Sequence, residues 1–155
     1  MTRRQLFQNN LRLIRGIADW QSQKAAEMIG VSRQTYSAWE NGASNMTRTQ
    51  YYAARWVLEK APFDEIKRKI IDDVLRALVD EPEKFTDEQK KNIKEEAKMI
   101  ASVQKTDISQ EFIKHNWAMT VGKIFVAIGG VASAAVFGSL ASDIALDMLD
   151  SFGDK

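Results

Sequence analysis

From Ser22 to Gly42 the chain specifies two short helices joined by a tight turn, and few folds accommodate that pairing. Ala25, Ala26 and Ile29 fall on one face at helical spacing. Gly30 follows where a left-handed residue ends a helix, a conformation that glycine adopts without steric cost. Val31 is the apolar residue of the turn, placed to plug the core beneath it. Ser32 is a good N-cap, because its hydroxyl can accept from a backbone N–H that the next helix leaves unpaired. In that second helix Tyr36 and Trp39 share the inward face, and Asn41-Gly42 stops it. The residues pointing elsewhere, Arg33, Gln34, Thr35, Ser37 and Ala38, are short or hydrogen-bonding. A helical face with Arg, Gln, Thr and Ser, but no Leu, Ile or Glu, is what base edges and phosphates require.

The run Gly30-Val31-Ser32-Arg33-Gln34-Thr35-Tyr36-Ser37-Ala38-Trp39-Glu40-Asn41-Gly42 resembles the helix-turn-helix of the Cro/phage-repressor (Xre-like) family. Upstream, Leu11-Arg12-Leu13-Ile14-Arg15 resembles the first helix of that family, and Met46 to Leu58 its fourth. The resemblance covers residues from about Leu6 to Leu58, a third of the chain. Two positions depart from the usual pattern. Gln21-Ser22 stands where the family opens its second helix with Ser-Gln, and Met46 replaces a common proline, leaving Thr47 as the cap.

The resemblance implies a lambda-repressor-like bundle that binds double-stranded DNA, with Arg33 to Glu40 as the recognition helix. Carried over by position, it places Arg33, Gln34, Ser37 and Ala38 at the bases and Ser22, Ser32 and Asn45 at phosphates. Arg33 suits guanine, Gln34 adenine, and Ala38 a thymine methyl. It also implies that Glu40 is structural, paired with Arg12 or Arg15 of the first helix. A homo-oligomer follows, a dimer in the simplest case, since paired recognition helices read two-fold operators. Two alternatives remain at this stage: a membrane-anchored structural protein that uses the fold to bind protein, and the antitoxin of a toxin pair.

Charge supports the division of labour. The net charge is only +1, but through Gly42 the acids are Asp19, Glu27 and Glu40 against six Arg and Lys. The last thirteen residues carry four Asp and one Lys. A basic head with an acidic end fits DNA contact through the head. The chain has no cysteine, so disulfides and thiolate sites are excluded, as suits a reducing cytoplasm. The N-terminus has no apolar run after Arg3-Arg4 and does not read as a secretory signal.

Nothing alternates with period two, so the expected fold is all-α. The expected parts are a helix-turn-helix domain over 1–61, a helical connector and oligomerisation region over 62–115, and an apolar C-terminal helix with an acidic tail over 116–155. Pro62 closes the first part. Ile66, Ile70, Ile71, Val74, Leu75 and Leu78 then give an amphipathic helix that Pro82 ends. Thr86 with Gln89 forms a capping-box pattern before a helix carrying Ile93, Ala97, Ile100 and Val103 on one face. Asp107 or Ser109 is placed to cap the next one.

From Ile124 to Ser142 no residue is charged, and the run is about as long as a bilayer core. Gly130, Ala134 and Gly138 recur every fourth residue, a stripe that would let helices approach closely and mediate oligomerisation. Trp117 and Lys123 precede the run, and Asp143, Asp147 and Asp150 follow it. One expectation is therefore a long apolar helix that anchors a cytoplasmic head in the inner membrane. The others are a buried oligomerisation helix and a pocket for a ligand or peptide, with any small-molecule effector unassigned.

No catalytic constellation is legible. His115 stands alone between Lys114 and Asn116, without a nearby Cys or second His, which argues against a His-dependent triad or a metal site. Asp72-Asp73 and Glu95-Glu96 read as solvated pairs on charged faces, and Gly129-Gly130 is not a phosphate loop. The expectation is a non-enzyme without metal or cofactor.

Overall fold

The computed structural model describes residues 1–104 and 109–129, which form helices and turns without a strand among them. Helix α1 (Arg3–Asn9) meets α2 (Leu11–Ala18) at Asn10. Then come α3 (Ser22–Ile29), α4 (Arg33–Glu40) and α5 (Arg48–Lys60). Next, α6 (Glu65–Leu75) continues as a π-helical turn, Arg76–Asp80. After a 3₁₀ turn at Pro82–Lys84 the chain enters α7 (Asp87–Val103). Last are α8 (Gln110–Trp117), a second π-helical turn at Ala118–Gly122, and the short α9 (Lys123–Ala127).

Local chemistry sets these boundaries. Thr2, Thr47 and Thr86 each accept from the backbone N–H three residues on, while Gln5, Gln50 and Gln89 return the bond. Asp64 and Ser109 cap α6 and α8 in the simpler way. At the far end of α5 the capping group is distant in sequence. Arg68 donates to the carbonyls of Leu58, Glu59 and Ala61, the last turn that a helix leaves unpaired.

One hydrophobic core runs from Phe7 in α1 to Phe125 in α9. It takes in Ile14, Ile17, Tyr36 and Trp39 from the head, Ile70, Ile71 and Val74 from α6, and Ile93, Ala97 and Ile100 from α7. α2 lies close against α7, where a Cβ on Gly16 would stand 3.2 Å from that of Ala101. Arg55 of α5 clamps Asp80 with two bonds of 2.7 and 2.9 Å, fastening the head to the turn after α6.

The apolar C-terminal segment departs from the expectation. Ile113, Trp117, Val121 and Phe125, each four residues apart, form a single inward stripe with at most 4% exposure. Phe125 meets Phe85 edge to face at 5.3 Å and lies beneath Lys69 and Arg76, at 5.5 and 5.4 Å from its ring. Helix α9 then ends after five residues, and Gly129, with φ 76°, takes the left-handed conformation that terminates it. Among the described residues no helix is long and apolar enough to cross a membrane. The long apolar helix through 124–142, the membrane partner and the inner-membrane anchor are corrected accordingly. The start of the segment is apolar because it packs on the core, and its helix ends just before Gly129. Gly130, Ala134 and Gly138 lie outside the described residues.

The acidic pairs need a second correction. Asp73 is buried, accepting from Lys69 Nζ at 2.6 Å and from the indole N–H of Trp117 at 3.0 Å across 44 residues. Burial pushes its carboxyl above the ordinary value, while Lys69 and the Trp117 N–H pull the other way. Trp117, expected at a membrane surface, is fully buried and anchors α8 on α6. Glu96 also turns partly inward, with one carboxylate oxygen buried and unpaired and its pKa raised by burial.

Candidate nucleic-acid interface

The helix-turn-helix begins where the α3 carbonyls run out. Gly30, at φ 85°, ends α3, and the N–H groups of Gly30 and Val31 return to the carbonyl of Ala26 at 2.9 and 3.0 Å. Ser32 then caps α4, accepting from Thr35 N–H at 3.1 Å and donating to Thr35 Oγ1 at 3.0 Å. Tyr36 and Trp39 are buried, so the orientation of α4 follows from its own inward side chains.

Ion pairing fixes that orientation further. Glu40, with a side chain only 6% exposed, receives Arg15 Nε at 2.6 Å and Arg15 Nη2 at 3.1 Å. Arg12 approaches the same carboxylate at 3.6 Å and donates to Asn41 at 2.9 Å. Both candidate arginines therefore converge on Glu40, with Arg15 in the closer, two-pronged bond. The bond to Glu40 raises the Arg15 guanidinium pKa. The Tyr36 phenol nearby is pushed upward by burial, then by Glu40.

The loop after α4 is held by a residue that sequence reading misses. Gln8 of α1 donates to the carbonyls of Trp39 and Ser44 at 3.2 and 2.7 Å, and its own carbonyl accepts from Met46 N–H at 2.9 Å. No local signal marks it, because its partners lie 31 to 38 residues away. Replacing Gln8 by Ala should cost about 1–3 kcal/mol, since bonded loop groups lose their partner. Chemical denaturation checks the cost, and faster amide exchange at Ser44 to Met46 would locate it.

The other singled-out residues occupy the following places. Arg33 and Gln34 are exposed in the first turn of α4. Ser37 and Ala38 are half-buried one turn later; Ser37 accepts from Asn41 at 3.5 Å, and the Ala38 carbonyl accepts from Ala43 N–H at 2.8 Å. Ser22 is half-buried as the first residue of α3, behind Gln21, which makes no side-chain cap. Asn45 is exposed in the loop that Gln8 holds. The Ser32 hydroxyl is engaged in its cap on both sides. Among the described residues no group of three or more His, Cys, Asp or Glu is placed to hold a metal ion.

Residues 11–50 match the protein family described as Helix-turn-helix. No curated protein and no solved structure matches the chain significantly. The chain thus carries an N-terminal helix-turn-helix of the Xre/Cro type, a non-catalytic module, and is a DNA-binding regulatory protein.

Proposed function

We propose that the chain is a sequence-specific transcriptional repressor that binds a two-fold operator as a dimer, with α4 of each head in the major groove. The observation that carries this reading is the state of α4. Its first turn offers the exposed side chains of Arg33 and Gln34, while its opposite face is locked by Tyr36, Trp39 and the Arg15–Glu40 pair. Rigid placement matters because base recognition needs two bonds from one side chain in one plane. In this reading Arg33 takes guanine, Gln34 takes adenine, and Ala38 with Ser37 borders the next base. Ser22, Ser32 and Asn45 fix the register on the backbone. A dimer is proposed because one such module buries too little surface for tight binding alone.

Selection of duplexes from a randomised pool by the full chain supplies the operator. Arg33→Ala and Gln34→Ala should each then lose about 1–3 kcal/mol of affinity and relax specificity at a single base position per half-site. Unchanged binding by both variants would sink the docking. A duplex cut to one half-site should bind far more weakly than the whole; equal affinity would remove the dimer.

A further inference from the structure

A second basic surface lies outside the helix-turn-helix. A cleft of about 380 Å³ opens between the starts of α1 and α5, lined by Thr2, Arg3, Arg4, Arg48, Tyr51 and Tyr52. None of these residues is acidic. Arg12, Arg15, Arg55 and Arg76 each hold a carboxylate, whereas among the described residues no carboxylate pairs with Arg3, Arg4 or Arg48. Arg3 stands at the rim, also bordering a groove that contains Asp72 and Asp80, so Arg4 and Arg48 carry most of the cleft's charge. The aromatic wall is fixed: Tyr51 sits between Phe7 and Tyr52, with ring centres 5.4 and 5.5 Å away.

The cleft neighbours the loop of the candidate interface. Arg4 precedes Gln8 by one helical turn on the same face of α1, about 6 Å along the axis. Gln8 is the residue bonded to Ser44 and Met46, and Arg48 follows Met46 by two positions. Arg48 thus lies three residues past Asn45 at the end of the loop that Gln8 holds, with Arg4 one turn from Gln8.

We propose that this cleft grips the sugar-phosphate backbone of the operator beyond the base pairs that α4 faces, so that α1 lengthens the footprint of each head. The inference rests on the docking of α4 described above. A polyanion is the fitting occupant. Guanidinium groups lining an open cleft hold a lone small anion weakly once salt screens them within about 8 Å. A duplex instead gains from the release of its condensed counterions.

The test uses the full chain and the duplex it selects, long and trimmed to the recognised core, across a range of KCl concentrations. On the long duplex Arg4→Gln/Arg48→Gln, which removes two guanidinium groups from each head of the dimer, should lower the slope of log affinity against log salt by about 3.6, at about 0.9 per phosphate. Between 50 and 200 mM salt the wild type should then lose on the order of a hundredfold more affinity than the variant. On the trimmed duplex the two proteins should coincide, and preference for the selected over a shuffled sequence should be unchanged. An unaltered slope, or a deficit that persists on the trimmed duplex, overturns the proposal. So does competition by millimolar inorganic phosphate that the double variant abolishes, which would mark a small-anion site. Arg33→Ala separates the two readings: it should reduce sequence preference without changing the contribution of Arg4 and Arg48. If sequence preference survives Arg33→Ala while the slope change stands, the docking of α4 falls and the backbone grip does not.

Discussion

Trp117→Ala should destabilise the chain by about 3–5 kcal/mol, the range for emptying a large buried aromatic site. The residue is fully buried within the stripe of Ile113, Val121 and Phe125, so little solvent is near to fill the void. The loss is more than volume. The indole N–H is one of two donors to Asp73, and without it a buried carboxylate oxygen loses its partner. Trp117→Phe separates the terms, retaining most of the packing but not the bond. It should cost about 1.5–3 kcal/mol, as for a bond to a charged group. Urea denaturation of the full chain, followed by circular dichroism, measures both. Two variants within error of each other would mean that the bond to Asp73 outweighs the packing. A Trp117→Ala variant as stable as the wild type would mean that α8 and α9 are not part of the cooperative core.

The helices were legible wherever the decisive information is local. The Gly30 turn, the Ser32 and Thr47 caps, the Thr86–Gln89 capping box and the Ile66 to Leu78 stripe depend on neighbours within four residues, and the fold follows them. Bonds that join distant elements left no such trace. Gln8 reaches the loop before α5, Arg55 reaches Asp80, and Asp73 reaches Trp117 across 44 residues. Each of these residues looks like an ordinary surface polar group in sequence. The apolar C-terminal run failed for a different reason. Hydropathy reports that side chains avoid water, not whether protein or lipid surrounds them. The four-residue spacing of Ile113, Trp117, Val121 and Phe125 was the readable sign of a core face, and the run's greater length obscured it. Among the site residues, Arg33 and Gln34 could be placed because position alone puts them on the outer face of a short helix. Ser32 was legible as the cap of α4, and the phosphate contact proposed for it requires its hydroxyl to turn from Thr35 Oγ1.

The second large effect is expected at the pair that orients the recognition helix. Arg15→Ala leaves Glu40 with only the longer contact to Arg12, whose side chain is 67% exposed. Removing one partner of a buried pair costs about 3–5 kcal/mol, because the remaining charge is left in a poor solvent. Arg15 is itself 22% exposed, so water can reach part of the vacated site and the lower end of that range applies. Arg15 also donates to the carbonyl of Trp20 at 3.0 Å, which ties the turn before α3 to the same guanidinium. One substitution therefore loosens both helices of the motif. DNA affinity should fall beyond the loss of stability, since Arg33 and Gln34 would then be presented on a helix that no longer has one orientation. The double variant Arg15→Met/Glu40→Met decides between charge and placement. Exchanging both partners for apolar side chains removes the stranded carboxylate and is often close to neutral, so stability should recover most of the loss. If DNA binding recovers with it, packing alone is sufficient to hold α4 against α2. If stability returns but specific affinity does not, the two-pronged bond is what fixes the angle of the recognition helix.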